Sequence, residues 1–239
     1  MVNPLILNLQ HRDVIAPLEQ AALESIVSKV EYYRAGQDIV AEGTHPRESC
    51  LMIEGFSARS HVIEQGQRQL TAVHIPGDFV DLHSLLLKVM DHGVVALTNC
   101  TVSKVPHENL RKISAEYPHL TRMLWLSTVV DAAIHRAWIV SMGRRSSVGQ
   151  VAHLLCELYL RLKAVDLTRA YSFELPITQT QLGDMMGRSV VHVNRILQFL
   201  RRKGLIAWRG ASLTILDWER LQAIAGFDPT YLSLRVEPR

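Results

Sequence analysis

Residues Ile177–Ile206 read ITQTQLGDMMGRSVVHVNRILQFLRRKGLI. Thr178 stands as a cap ahead of QTQLGDMM, and Gly187 occupies the place where a helix closes on a left-handed residue. Ser189 caps a second helical run that reaches about Arg202. Two short helices about a glycine-containing turn make a helix-turn-helix, whose second helix enters the major groove of DNA with its N-terminal residues on the base edges. Beyond Gly204, LIAW and ASLTIL read as two strands joined at Arg209-Gly210, a wing behind the helices.

The charge around this unit agrees with it. The whole chain has 239 residues, with 26 Lys+Arg against 23 Asp+Glu, a net charge of only +3. Between Ser141 and Arg209, however, eleven basic residues face four acidic ones, a net of +7. The remainder of the chain carries −4. A basic segment on an acidic body is the electrostatic footprint of nucleic-acid binding, although a salt-bridged helical face gives the same count.

Upstream, SVGQVAHLLCELYLRL sets Val148, Val151, Leu155, Leu158 and Leu162 on one helical face, with Ser146 as its N-cap. Before it, Leu120, Met123, Leu124, Ser127, Val130, Ile134 and Trp138 form a stripe along a long helix from about Leu120 to Met142, ended by Gly143 at a hinge. Such a stripe serves as a dimer seam, or packs on the chain's own preceding domain, or does each with a different face. Tyr33–Val105 reads as short apolar and β-branched stretches punctuated by Gly36, Gly43, Gly55, Gly66, Gly77 and Gly93, a small all-β roll with a hairpin tip at Gln65-Gly66. Pro17–Val30 has a helical rhythm. The resulting class is α+β: a jelly-roll-like β-roll (1–117), a long dimerisation helix and hinge (118–143), and a winged helix-turn-helix with a C-terminal extension (144–239).

Other classes are disfavoured. The N-terminus lacks a secretory pattern, and the most apolar run, LWLSTVVDAAIHRAWIV, is broken by Asp131, His135 and Arg136, so a cytoplasmic protein with no membrane partner is expected. Cys50, Cys100 and Cys156 lie about fifty residues apart, a spacing that offers no zinc or iron–sulfur cluster and reads as buried thiols. There is no nucleophile elbow, HExxH, P-loop or dinucleotide fingerprint, so no enzyme is expected.

In order and spacing, AGQDIVAEG, LMIEGF, HIPGDF, the long helix and the Ile177–Ile206 stretch resemble the Crp/Fnr family of bacterial transcription regulators along nearly the whole chain. The resemblance implies a homodimer on a two-fold-related site in double-stranded DNA, with RNA polymerase as partner and an effector sensed by the roll. In members that bind cyclic nucleotides, a Gly-Glu segment after the GDF turn holds the ribose and an Arg-Ser pair holds the phosphate. Here Asp81-Leu82 replaces the first, and no arginine occurs between Arg68 and Arg111. Cyclic AMP is therefore disfavoured, because a buried phosphate would lack its cation; Lys88 offers only a point charge. The cysteine-cluster mechanism of the oxygen-sensing branch is excluded by an N-terminus without cysteine before Cys50. Haem is disfavoured as well, and no metal site is assigned: His74, His83, His92 and His107 read as surface or hydrogen-bonded core residues. Phe79, Asp81, His83, Lys88 and His92 remain candidates to line a pocket for some other effector; the alternatives are a roll packed shut or a gas-sensing relative.

Aligned to the family, the groove-facing residues are Ser189, Val190, Val191, His192, Asn194 and Arg195. The valines stand where relatives carry charged readers, and they offer apolar surface to thymine methyls. Burial in the helical core is their alternative, but Ile196, Leu197 and Leu200 already supply an inward face. Thr178, Gln179, Thr180, Arg202 and Arg209 are expected on phosphates.

Overall fold

The computed structural model describes residues 3–64 and 66–239. Two helices open the chain, α1 (Pro4–Gln10) and α2 (Pro17–Ser25). The first is absent from the sequence reading, although its signal is present: Asn3 caps it by accepting the Leu5 N–H, Pro4 occupies its first turn, and Leu5, Ile6 and Leu9 are buried. The second stops at Ser25 rather than Val30, because β1 (Lys29–Tyr33) is taken up by the sheet.

The roll follows as β2 (Asp38–Val40), β3 (Glu48–Glu54), β4 (Ser57–Val62), β5 (Arg68–His74), β6 (Gly93–Ala96) and β7 (Cys100–Pro106), with a 3-10 turn at Leu82–Leu85. One sheet has the order β1-β7-β3 and the other β2-β6-β4-β5, all pairs antiparallel. Between them lie Ile39, Met52, Val80, Met90, Val94 and Val102, with Cys50 and Cys100 as buried free thiols. β4 and β5 form the hairpin expected around Gln65-Gly66, but Gln65 itself lies outside the described residues.

After α3 (His107–Glu116), helix α4 runs from Pro118 to Arg144, 27 residues and about 40 Å. Gly143 does not end it: the helix continues one residue further and the break comes at Arg145, whose backbone is extended. The expected dimer seam is corrected here. Leu120, Met123 and Leu124 are buried against α1, α2 and α3, while Val130, Ile134 and Trp138 are buried against the roll and the C-terminal domain. Ser127 is half-buried and spends its hydroxyl on the Met123 carbonyl at 3.1 Å. An apolar stripe records that a face is covered, not by what, and here the same chain covers it. The face left open carries Trp125, Val129, Ala132, Ile139 and Val140, with Trp125 69% exposed. By length and composition α4 is apolar enough to cross a membrane, with 28% of its most apolar window buried and with Asp131, His135 and Arg136 along it.

Ser146 caps α5 (Ser147–Lys163) by accepting the Gly149 N–H at 3.1 Å. The C-terminal domain then adds β8 (Thr168–Arg169), β9 (Ser172–Glu174), α6 (Gln179–Met186), α7 (Val190–Arg202), the wing β10 (Ile206–Arg209) and β11 (Ser212–Ile215), and α8 (Trp218–Ala225). Its sheet has the order β10-β11-β9-β8.

One apolar core is continuous from the roll (Phe56, Leu70, Val73, Ile75) through α4 into this domain. Polar contacts repeat the join: Arg68 pairs with Asp184 at 2.6 Å, and Gln69 Nε2 donates to the Met185 carbonyl. The chain's end closes the circuit. Tyr231 donates to the wholly buried Glu157 at 2.8 Å, the Glu237 N–H donates to the Arg12 carbonyl, and the Arg239 N–H donates to Asp13.

Candidate nucleic-acid interface and effector cavity

Thr178 Oγ1 accepts from the Gln181 N–H at 3.1 Å while Gln181 Oε1 accepts from the Thr178 N–H at 2.8 Å, a reciprocal box that fixes where α6 begins. Gly187 ends α6 at φ +62°. Gly183 is required by closeness instead: a Cβ there would lie 2.6 Å from the Arg188 carbonyl oxygen. Ser189 Oγ accepts the His192 N–H and sets the register of α7. In that register Val193, Ile196, Leu197 and Leu200 are buried.

Val190 and Val191 face solvent, Val191 at 63%, because Val193 fills the core position they would otherwise compete for. Arg195 and Arg202 are exposed along the same helix, and neither has an ion-pair partner among the described residues. Asn194 is half-buried and its amide donates to Gln179 Oε1 at 3.1 Å, which pins α7 to the start of α6. His192 is half-buried, with Nε2 enclosed and unpartnered. Thr180 and Arg209 are exposed, the latter at the wing tip. Arg201 donates to the Trp208 carbonyl and so ties α7 to the wing. The sequence reading passed over Gln198, exposed three residues beyond Arg195 and four before Arg202; its spacing was the signal once the inward face was fixed.

The second site lies where the roll, α4 and α5 meet. It is a cavity of about 60 Å³ walled by Arg12, Arg59, His74, Phe79, His83 and Arg161, well below the roughly 300–1,000 Å³ of small-molecule sites. Of the five pocket candidates, Phe79 and His83 are on its wall, and His92 stands behind it through Arg59, whose Nε donates to His92 Nε2 at 2.9 Å. The other two are not on this wall. Asp81 turns into the roll, where its Oδ1 accepts the Cys50 N–H at 2.6 Å and where it lines a separate pocket with Cys50 and Lys104; burial raises it to about 6. Lys88 is exposed and donates to the Leu85 carbonyl. The two other histidines considered are hydrogen-bonded within the core, His74 to Ser57 and His107 to Ser84.

The arginines of the cavity come from outside the Arg68–Arg111 stretch. Arg59 is on β4, at a bulge between Arg59 and Ser60, and bulges re-aim side chains. It bonds to Asp131 at 3.2 Å and to His135 Nε2 at 2.6 Å, both on α4. Arg161 bonds to Asp78 at 2.6 Å and to Glu157 at 3.2 Å. Arg12 bonds to Asn8, and burial lowers it to about 10. Burial likewise holds the imidazoles neutral: His92 falls to about 4, with Arg59 adding to the effect, and His83 and His135 fall below their usual range.

A capped helix-turn-helix with an unpaired basic face, a wing, and a roll joined to it by a long helix is an arrangement with known relatives. Residues 30–117 match the cyclic nucleotide-binding domain and residues 149–224 the Crp-like helix-turn-helix domain. The chain belongs to the Crp/Fnr family of transcription regulators. It is 27% identical to the transcriptional activator protein FnrL of Cereibacter sphaeroides over 92% of this chain and 90% of that one. It is 24% identical to the activator Anr of Pseudomonas aeruginosa over 86% and 84% of the two chains. FixK2 from Bradyrhizobium japonicum shares the fold, with a TM-score of 0.74 and 23% identity over 83% of this chain and 97% of that one. Crp/Fnr proteins are DNA-binding regulators rather than enzymes, and the reading head described above lies within the matched helix-turn-helix segment.

Proposed function

We propose that this Crp/Fnr regulator acts in the cytoplasm as a homodimer that reads an inverted-repeat operator, gated by an effector other than cyclic AMP. The reading head carries the proposal: Val190, Val191, Arg195 and Arg202 stand exposed on a helix whose register is fixed by the Ser189 cap. Two heads are needed for a two-fold site, with half-sites about 34 Å apart. The open face of α4 supports the pairing, because Trp125, Val129, Ala132 and Ile139 recur at steps of three, four and seven, a heptad seam on the side opposite the buried stripe. FnrL and Anr are called transcriptional activators, which favours activation here and RNA polymerase as the protein partner.

The phosphate contacts supply the test. Affinity for a selected duplex should fall steeply with salt, and Arg202→Ala should weaken all sequences alike while flattening the salt slope by about one. A wild-type affinity that does not change with salt would exclude phosphate-anchored reading.

A further inference from the structure

Five histidines gather on this side of the roll: His61 on β4, His74 on β5, His83 in the 3-10 turn, His92 at the entry to β6, and His135 on α4. Two of them converge with a carboxylate. Ligand atoms of His83, Asp91 and His92 all lie within 4.8 Å of one another. We propose that His83, Asp91 and His92 bind a divalent first-row transition-metal ion, and that its occupancy is relayed to α4 through Arg59. The relay rests on the regulator reading above; the site does not.

The donor set argues for the class of ion. Two imidazoles and one carboxylate suit Zn²⁺, Fe²⁺, Co²⁺, Ni²⁺ or Cu²⁺, whereas Mg²⁺ and Ca²⁺ prefer all-oxygen cages. The imidazole rings of His83 and His92 lie 5.1 Å apart at 41°, so they are not stacked on one another. His83 Nε2 is enclosed and has no hydrogen-bond partner among the described residues, an orphan that an ion would satisfy. Asp91 lies 2.7 Å from His92 Nδ1 with its side chain 71% exposed, which supplies both a negative charge and an entry path. His61, its ring 5.9 Å from that of His92, stands beside the site, and water can complete the shell.

The second shell gives the consequence. Arg59 Nε now donates to His92 Nε2, so the ring proton is on Nδ1, toward Asp91. Metal at Nδ1 moves that proton to Nε2, where it meets the Arg59 donor head-on. Arg59 must then leave His92, and its remaining partners are Asp131 and His135 on α4. An ion bound at the rim of the roll thereby changes which side of the cavity holds this guanidinium, and α4 is the helix that bears the open seam.

Full-length protein stripped with a chelator and titrated with Zn²⁺ should bind one equivalent per chain, and Co²⁺ in its place should give visible ligand-field bands. His83→Gln and Asp91→Asn should each weaken Zn²⁺ binding about tenfold or more and abolish the Co²⁺ bands. His45→Gln, at an exposed histidine elsewhere on the roll, should match wild type. Asp91 is exposed, so Asp91→Asn decides the matter if His83→Gln fails to fold. Wild type that takes up no stoichiometric Zn²⁺, or an Asp91→Asn variant that binds as wild type does, overturns the site. In a DNA-binding assay Zn²⁺ should shift wild-type affinity about tenfold and leave Asp91→Asn unmoved; equal shifts or none overturn the relay. Because the Zn²⁺ titration contains no DNA, failure of the regulator reading shows separately.

Discussion

The reading head and the cavity are built in opposite ways. The head is consecutive: its caps, its turn glycines and its exposed side chains fall within Thr178–Arg209, and each local choice fixes the next. The cavity is assembled: Arg12 follows α1, Arg59 is on β4, Phe79 and His83 follow β5, Asp131 is on α4 and Arg161 on α5. A site on one helix can be read by counting along the chain, because helical spacing turns sequence separation directly into direction. A site made from five elements depends on how those elements pack, and sequence separation carries no information about that.

Helix α4 lies between these cases, and it offers the sharpest way to break the comparison. Its period of three and four appears twice, once along Leu120–Trp138 inward and once along Trp125–Ile139 outward. Changing Val129 and Ile139 together to Asp should give a folded monomer, with operator affinity reduced about 10²–10⁴-fold by loss of the linked second head. Changing Val130 and Ile134 together to Asp should instead prevent folding, because it puts two charges into a dry core. Sedimentation and circular dichroism distinguish the two. If the Val129/Ile139 variant remains a dimer, the open face is not the seam.

What the sequence disclosed follows the same division. The Ser146, Thr178 and Ser189 caps, the wing and the exposure of the two valines follow from local chemistry, and the roll follows from its glycine spacing. Helix α1 escaped because seven residues with three apolar positions make a weak period, and its Asn3-Pro4 start was not weighed. Asp81 and Lys88 follow the same turn as Phe79, yet adjacent residues of a turn point to different sides, Asp81 into the roll's own pocket and Lys88 to solvent. Arg59 lies on β4, before the arginine-free stretch from Arg68 to Arg111, and only the packing of β4 against α4 brings it to the cavity.

Asp81 allows that displacement to be measured. Its folded value of about 6 exceeds the unfolded one of about 3.9, so between those pH values the native state holds more of its proton than the unfolded chain does. Its contribution to stability therefore falls as pH rises through that window, by up to about 2–3 kcal/mol. Asp81→Asn keeps an acceptor for the Cys50 N–H and removes the charge. Urea unfolding at pH 4 and at pH 7 should show the variant gaining on wild type at the higher pH. Parallel profiles would mean that the carboxyl is solvated and that burial does not hold its proton.

The smallest effect tests the region read with most detail. Val191 is exposed in the first turn of α7, one turn before Arg195, and the Ser189 cap leaves little freedom to rotate it away from the groove. Valine can touch a thymine methyl but can accept no hydrogen bond, so any C·G pair opposite it goes unread by wild type. Val191→Glu adds a carboxylate that accepts from a cytosine amino group, and it should favour a G·C pair at one position per half-site by about 1–3 kcal/mol. Overall affinity should fall slightly, since the new charge faces phosphates whatever the sequence. Selection from random duplexes with both proteins measures preference separately from affinity. Should the two return the same consensus, the first turn of α7 does not meet base edges, and the part of the molecule most legible in the sequence would have been read in the wrong rotation.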